Sequence, residues 1–347
     1  MAYISFQPND YFNTVLYTGN GSTNAISGIG FQPDWVWIKQ RGGTTAHNLV
    51  DAVRGVNKAL SSNSTDAQGD YTPNNLNAFG TDGFTLGNGS LVNVSSGTYV
   101  SWNWKANGQG SSNTDGSINT TYTSVNTTSG VSISTYSGTG SAATIGHGLG
   151  AIPQVMIVKN TYQAEHWIVY HHKSNATPED YYLRLNDTTA SSDFPMWNDT
   201  APTSSVFSVG TSTSVNQAGG TFVAYCFAEK KGFSKFGSYT GNGEASDNAF
   251  IYTGFKPAFV LIKATDVDEW RIYDNKRANP FNVIDVRLKA NSSDAESSGN
   301  NECDFLSNGI KIRSNSGGVG SSGQEYIYMC FAEEPLVSSN GVPAVAR

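Results

Sequence analysis

The chain has 347 residues, with 21 Lys and Arg against 28 Asp and Glu, so its formal net charge is −7. Aromatic residues make up 12% of it and charged residues 14%. This composition excludes a disordered chain, which lacks the apolar groups needed to offset its conformational entropy, and it argues against a general nucleic-acid binder, which needs clustered basic residues. No apolar run approaches the roughly 20 residues of a membrane-spanning helix.

One sequence pattern occurs three times along the chain. The letters YTGNG at residues 17–21 return as YSGTG at 136–140 and as YTGNG at 239–243. Each copy is followed by a proline and a β-branched or aromatic run that ends in a lysine, and these lysines are Lys39, Lys159 and Lys263. The opening tyrosines lie 119 and 103 residues apart and the lysines 120 and 104. Because the two landmarks agree within one residue, the chain contains an internal repeat.

Two later landmarks keep the same register. A Leu-x-x-Asn pattern ends at Asn63, Asn186 and Asn291, and an aromatic strand closes each copy at 99–106, 222–229 and 326–333. Asp82-Gly83 and Asn308-Gly309 stand between apolar residues, which is typical of tight β-hairpins. Runs such as 97–104 and 131–134 alternate with period two, which predicts strands with one buried face and one solvent face.

No long helical periodicity is present, so we predict an all-β fold of three tandem antiparallel β-sandwich repeats. The Gly-, Ser-, Thr- and Asn-rich stretch after the first repeat predicts a flexible linker. The predicted boundaries are an N-terminal segment at 1–11, repeats at 12–107, 130–229 and 230–334, a linker at 108–129 and a C-terminal tail at 335–347.

An Asp and an Arg lie three residues apart in two of the repeats. Asp51 and Arg54 correspond to Asp274 and Arg277, whereas the middle repeat has His171 and Ser174 at these places. Such a pair can form a binding site or can brace a loop through a charge-assisted hydrogen bond. Since the spacing recurs in two repeats, we favour the structural brace.

The cysteines and histidines predict neither a disulfide nor a metal site. Cys226, Cys303 and Cys330 are odd in number, and the chain begins without the pattern of a secretory leader, so we expect free thiols. The histidine cluster, His166, His171 and His172, places two imidazoles five residues apart, on opposite faces of an extended strand. Surface or interface histidines are therefore the preferred interpretation.

Motifs of catalysis are absent from the sequence: it has no Gly-x-Ser-x-Gly elbow, no Walker-type phosphate loop and no His-Glu-x-x-His. We therefore expect a protein that is not an enzyme and that needs no cofactor. For ligand binding, the weak candidates are four tryptophans that would stack on sugar rings: Trp35, Trp37, Trp167 and Trp270. Packing in the core is the default interpretation of these side chains.

The repeated blocks resemble a repeat found in structural proteins of tailed bacteriophages, especially marine phages of cyanobacteria and similar hosts. The resemblance covers roughly residues 12–347, with the middle repeat most divergent. It is carried by the Tyr-Thr-Gly-Asn-Gly start, Gly-Phe-x-Pro-x-x-Val-x-Ile-Lys, Asp-x-x-Arg, Asp-Gly-Phe, the closing aromatic strand and the ending at 334–344.

The resemblance implies a virion component with lectin-like or jelly-roll-like β domains in a tail fibre, a knob or a head decoration. It implies other virion proteins and further copies of the chain as partners, synthesis in the host cytoplasm, and neither nucleic-acid binding nor membrane insertion. We also expect the aromatic residues from Phe6 to Phe12 to dock the chain to the particle. The alternative functions are recognition of a glycan on the host surface and, less favoured, glycan cleavage by two carboxylates in one cleft.

Overall fold

A computed structural model describes residues 6–277 and 282–333. Strands occupy 40% and helices 4% of it, and the strands form several antiparallel sheets, so the predicted all-β class is confirmed. The predicted tail at 335–347 and the first five residues lie outside the described residues.

The first third of the chain forms nine strands and a one-turn helix. A 3₁₀ turn at Pro8–Asp10 precedes them. They are β1 Phe12–Thr18, β2 Asn24–Ser27, β3 Trp35–Gln40, β4 Asn48–Asp51, β5 Lys58–Ala59, β6 Gly69–Asp70, β7 Leu76–Gly80, β8 Gly83–Leu86, α1 Ser90–Asn93 and β9 Thr98–Trp104.

The middle third repeats this order with one strand, β10, added in front and without a counterpart of β7 among the described residues. A second 3₁₀ turn occupies Pro178–Asp180. The elements are β10 Tyr122–Asn126, β11 Val131–Ser137, β12 Ala143–Gly146, β13 Val155–Asn160, β14 Ile168–His171, β15 Tyr181–Arg184, β16 Ser192–Asp193, β17 Val206–Val209, α2 Thr213–Asn216 and β18 Thr221–Phe227.

The described residues of the last third form eight strands. They are β19 Ser234–Thr240, β20 Phe250–Tyr252, β21 Pro257–Ala264, β22 Arg271–Asp274, β23 Leu288–Lys289, β24 Cys303–Leu306, β25 Gly309–Ile312 and β26 Glu325–Ala332.

The three large sheets share one strand order. It is β1-β9-β3-β4 in the first, β11-β18-β13-β14 within a longer sheet in the second, and β19-β26-β21-β22 in the third. In each, the first strand of the repeat pairs with the closing strand, which in turn pairs with the strand that carries the landmark lysine. Small sheets, β2-β8-β7, β12-β17 and β20-β25-β24, accompany them.

The repeated tyrosine is explained by this pairing. Tyr17, Tyr136 and Tyr239 each stack on the aromatic ring opposite in the closing strand, with ring centroids 5.0, 5.0 and 4.9 Å apart. Each hydroxyl donates to a backbone carbonyl of the segment before that strand, at 2.6 to 2.8 Å. The motif's first glycine is required as well, because a Cβ at Gly19 or Gly138 would lie 2.2 Å from a backbone oxygen.

Each large sheet is buried on both faces. One face packs on the small sheet of the same repeat, and the other faces a core shared by all three repeats. In the shared core the rings of Trp35 and Tyr225 stack with centroids 4.6 Å apart, and Phe12 stacks on Phe331 at 5.6 Å. The expectation of one solvent face per strand is therefore wrong for β9 and β11, where Ser101 and other polar side chains are buried too.

Both segments that flank the first repeat pack on the remainder of the chain. Residues 108–129, predicted to be a flexible linker, contain β10, which extends the second large sheet by pairing with β11. At the N terminus, Phe12 is fully buried in the shared core, and Phe6 and Tyr11 pack edge-on against Phe233 of the third repeat. These aromatic residues, expected to dock to a particle, are thus part of the fold itself.

Candidate functional site

The four tryptophans considered for ligand binding lie inside the molecule. Their exposed fractions are 2% for Trp35, 1% for Trp37, 0% for Trp167 and 4% for Trp270. Rings buried to this degree do not meet a sugar from solvent, so the binding interpretation of these four residues is corrected to core packing. The strand that carries two of them, β3, is enclosed between the shared core and the small sheet of its own repeat.

Equivalent ring N–H groups join the three repeats in a closed cycle. Trp167 Nε1 donates to the carbonyl of Ser61 in the first repeat at 2.8 Å, and Trp270 Nε1 donates to that of Arg184 in the second at 2.7 Å. At the corresponding place in the first repeat, His47 Nε2 lies 2.9 Å from the carbonyl of Lys289 in the third. The repeats therefore surround the shared core as a ring, each one contacting both others.

The Leu-x-x-Asn landmark holds these rings in place. Asn63, Asn186 and Asn291 each accept, at 2.8 Å, the backbone N–H of the residue whose ring makes the cyclic contact. In each repeat, the asparagine thereby holds the segment that accepts a cyclic contact against the segment that donates the next one. The Leu-x-x-Asn pattern thus positions the groups that form the contacts between repeats.

The Asp51–Arg54 pair lies at the boundary between the first and second repeats. Arg54 Nε contacts Asp51 Oδ2 at 2.5 Å, and both side chains are almost entirely buried. Tyr225 of the second repeat donates its hydroxyl to the same Oδ2 at 2.7 Å. Because burial raises the pKa of Tyr225 well above its usual value, the phenol keeps the proton that it donates. The pair therefore braces its own loop and binds the neighbouring repeat.

The Asp274–Arg277 pair occupies the equivalent boundary between the third and first repeats. Arg277 Nε lies 2.5 Å from Asp274 Oδ2 with both side chains fully buried, and Trp102 Nε1 of the first repeat donates to that oxygen at 3.0 Å. Glu296 extends the network, since it contacts Arg277 at 3.1 Å and Arg41 of the first repeat at 2.7 Å.

The boundary between the second and third repeats is built differently. His171 stands in place of the aspartate and contacts the carbonyl of Tyr328 at 3.1 Å, while Met329 takes the place of Tyr225 and Trp102. Ser174 replaces the arginine and is buried, and within the described part of the chain its Oγ has no hydrogen-bond partner. A narrow apolar cavity lined by Val169, His171 and Met329, among others, lies at this junction.

The landmark lysines are buried without a carboxylate contact. Lys39 and Lys263 each donate to the carbonyl of the last residue of their strand and to one carbonyl of the loop that follows, and Lys159 donates to Asn160 and, across the boundary, to Thr65 of the first repeat. Burial lowers the pKa of all three ammonium groups to about 8. Their hydrogen bonds hold loop carbonyls, which is a structural use of the motif.

Three buried histidines share one hydrogen-bond pattern. In His47, His147 and His171, Nδ1 accepts an N–H while Nε2 faces a carbonyl, which fixes the neutral tautomer protonated on Nε2. Burial lowers the pKa of His47 and His171 to about 3. Protonation of Nδ1 would place a second N–H against the N–H that already donates to this atom. The imidazoles therefore form these hydrogen bonds in the neutral state.

Reactive chemistry is sparse in the described residues. No group of three or more His, Cys, Asp or Glu side chains there is placed to hold a metal ion. Cys226, Cys303 and Cys330 are buried free thiols, as predicted, and burial raises the pKa of each. No helix within residues 6–277 and 282–333 is long and apolar enough to cross a membrane.

An exposed aromatic pair was missed by sequence reasoning. Phe250 and Tyr252 point from β20 into solvent, with Ile251 buried between them. Strand pairing shows that the equivalent positions in β2 hold Ala25 and Ser27, an equivalence that the spacing of the sequence landmarks does not give. Bulky aromatics where another repeat carries small residues indicate a role other than folding.

Comparison with known protein families gives a match that covers nearly the whole chain. A family model described as a domain of unknown function (DUF7483) matches residues 7–335. The chain belongs to this family. The DUF7483 match spans all three repeats and the segment between the first two. No curated protein matches the chain.

Proposed function

We propose that this DUF7483 protein is a non-enzymatic structural component of a bacteriophage virion, displayed on the particle surface as a fibre, knob or decoration. In this proposal each repeat is a lectin-like or jelly-roll-like β-sandwich. The observation that carries it is the closed cycle of contacts from His47, Trp167 and Trp270, which makes the three repeats one block.

The use of the repeated residues supports a structural role. The tyrosine, lysine, asparagine and Asp/Arg landmarks all form hydrogen bonds, ion pairs or ring contacts with other groups of this chain. A catalytic or binding protein built from repeats is expected to keep reactive side chains at a surface site instead. Residues committed to internal bonds produce a rigid block, which is what a particle assembled from many copies requires.

Recognition of a glycan on the host surface is the second candidate. The four tryptophans no longer support it, since all are buried. It is favoured instead by the exposed pair Phe250 and Tyr252, which forms an apolar surface in a solvent-facing position. In both proposals the partners are other virion proteins and further copies of the chain, with synthesis in the host cytoplasm.

The test is to locate the protein in purified phage. Density-gradient particles of a phage that encodes it are analysed by mass spectrometry and then imaged at moderate resolution. We expect stoichiometric amounts of the protein and density of three β units around one centre. Its absence from purified particles would refute the proposal, while density restricted to the outward end of the tail would favour receptor recognition over decoration.

To test whether the N terminus docks the chain to a particle, the deletion must be shorter than residues 1–12. Removing residues 1–12 also removes Phe12 from the shared core, so loss of incorporation would report misfolding. Deletion of residues 1–5 leaves Phe6 and Phe12 in place. If this shorter variant still enters particles at the wild-type level, the first five residues do not dock the chain.

A further inference from the structure

We infer that the solvent face of the small sheet β20-β25-β24 binds a short, uncharged saccharide. The inference goes beyond a structural role and holds whether the protein is found on the head or the tail of a particle. It rests on the aromatic pair Phe250 and Tyr252, on the glycine between the strands and on the charges at the rim of the face.

The two rings lie side by side on an edge strand. Phe250 is 48% exposed and Tyr252 62%, whereas Ile251 between them is 4% exposed. Residues two apart in a strand share a face and are separated by about 6.6 Å along it. The pair therefore places two exposed aromatic rings next to each other on one face of the strand.

Glycine lets one ring lie against the sheet. Gly309 pairs with Tyr252 in the neighbouring strand, and a Cβ added to it would lie 2.9 Å from two ring carbons of Phe250. The ring therefore covers the backbone of Gly309 instead of standing away from it. The ring remains 48% exposed in this position, and exposed aromatic rings are what the apolar C–H side of a pyranose contacts.

The fold does not need these aromatics. The positions of Phe250 and Tyr252 are taken by Ala25 and Ser27 in the first repeat, which forms the same kind of sheet without them. In the second repeat the corresponding residues are Thr144 and Gly146. The aromatic surface is thus particular to the third repeat, which separates it from packing requirements common to all three.

The rim of the face carries balanced charge. Lys311, opposite Phe250, contacts Asp247 at 2.6 Å, and Arg313 contacts Asp304 at 3.6 Å. Two cations and two anions leave no net charge to attract an ionic ligand. They do supply donors and acceptors beside the rings, which suits the hydroxyl groups of a neutral sugar.

The dimensions also favour a small ligand. Three strands spaced about 4.8 Å apart make a face roughly 10 Å wide between its outer strands. A stable protein interface buries about 800 Å² on each partner, far more than two rings and their rim provide. A short oligosaccharide matches this area, and a second copy of the chain does not.

The experiment measures saccharide binding by the full-length protein. The wild type is applied to an array of neutral microbial polysaccharides together with cellohexaose, chitohexaose and maltohexaose, and hits are titrated by calorimetry. We expect at least one to bind, with an affinity that changes little between 50 and 500 mM NaCl because no ion pair is formed with the ligand. The variant Phe250→Ala/Tyr252→Ala is expected to bind at least tenfold more weakly.

The chain offers a matched control in Phe194→Ala/Tyr162→Ala. These two side chains are 47% and 63% exposed and lie in the second repeat, so the variant removes the same exposed area elsewhere. Wild-type affinity in the control supports the assignment. Absence of binding to every probe overturns the inference, and so does equal weakening in both variants. Self-association that is lost only in the Phe250/Tyr252 variant, without saccharide binding, would overturn it by assigning the face to a second copy.

Discussion

Two boundaries of the molecule have the same backbone arrangement and different chemistry. Between the first and second repeats, Asp51, Arg54 and Tyr225 form a buried charged network. Between the second and third, the equivalent residues are His171, Ser174 and Met329, and a hydrogen bond between a neutral imidazole and a carbonyl joins the repeats. Both boundaries complete the same ring of repeats around the shared core. A buried charged network is therefore not required for two repeats to pack against each other.

The difference predicts unequal sensitivity to substitution. A buried ion pair contributes little net stability compared with well-packed apolar groups, but removal of one partner leaves an uncompensated charge in the interior. At the boundary between the second and third repeats, the described residues at the equivalent positions, His171 and Ser174, form no such ion pair. We therefore expect equivalent positions to respond very differently when they are truncated.

The largest effect is expected for the arginines. Arg54→Ala leaves the Asp51 carboxylate buried without its cation, and Arg277→Ala does the same to Asp274. Each substitution should lower the free energy of unfolding by about 3–5 kcal/mol. Urea unfolding followed by tryptophan fluorescence measures this as a lower midpoint with an unchanged slope.

An exposed ion pair of the same length is the control for this prediction. Lys58 contacts Asp70 at 2.5 Å, as Arg54 contacts Asp51, but in solvent. Lys58→Ala should leave the unfolding midpoint unchanged within error. A similar loss in Lys58→Ala and Arg54→Ala would show that burial is not what makes the boundary pair matter.

Acid should weaken the boundaries that depend on histidine. The folded pKa of His47 and His171 is about 3, against about 6.5 in an unfolded chain. Below pH 6.5 the unfolded state binds protons that the folded state does not, so stability is complete above this pH and falls as the pH decreases towards 3. At pH 5 each histidine should cost roughly 2 kcal/mol.

Unfolding at pH 7 and pH 5 measures this loss, and His171→Gln tests its source. A glutamine amide can accept from Lys173 N–H and donate to Tyr328 in the manner of the imidazole, but it does not titrate. The variant should therefore show a shallower decrease in stability between pH 7 and 5. An unchanged decrease would place the acid sensitivity elsewhere in the chain.

The cyclic ring contacts predict an intermediate effect. Trp167→Phe removes both ring area and the hydrogen bond to Ser61, whereas Trp35→Phe removes ring area from a tryptophan whose Nε1 has no partner among the described residues. Trp167→Phe should cost about 1 kcal/mol more than Trp35→Phe, the usual net contribution of one hydrogen bond. Equal costs in urea unfolding would mean that the ring contact does not stabilise the junction.

The sequence predicted the class of fold and the register of the repeats because strand propensity and turn residues are local properties. It did not predict that β9 and β11 are buried on both faces, since the second face is covered by other repeats. Burial of Trp35 and Trp167 agrees with the default interpretation of core packing, but the sequence did not show that their rings contact another repeat. Contacts between repeats depend on tertiary arrangement, which spacing along the chain does not encode.

The Asp/Arg residues illustrate the opposite case. Their spacing of three indicated a local brace, and the geometry of Asp51 with Arg54 is that of a brace. Its second use, as acceptor of the Tyr225 hydroxyl, requires a residue 174 positions away. The equivalence of the exposed pair Phe250 and Tyr252 with Ala25 and Ser27 follows from strand pairing, which the spacing of the sequence landmarks does not give.

The smallest effect is expected where the arginine is replaced by serine. Ser174 lies at the position of Arg54, is 3% exposed, and its Oγ is without a partner in the part of the chain that the structure describes. A buried hydroxyl that makes no hydrogen bond has already lost its bonds to water, so Ser174→Ala removes a destabilising group and no contact. We expect the free energy of unfolding to change by less than about 0.5 kcal/mol, in the stabilising direction. Urea unfolding of Ser174→Ala beside Arg54→Ala compares the free energy of unfolding for substitutions at one position of the repeat. If Ser174→Ala lowers this free energy as much as Arg54→Ala does, the two boundaries are held together by the same forces.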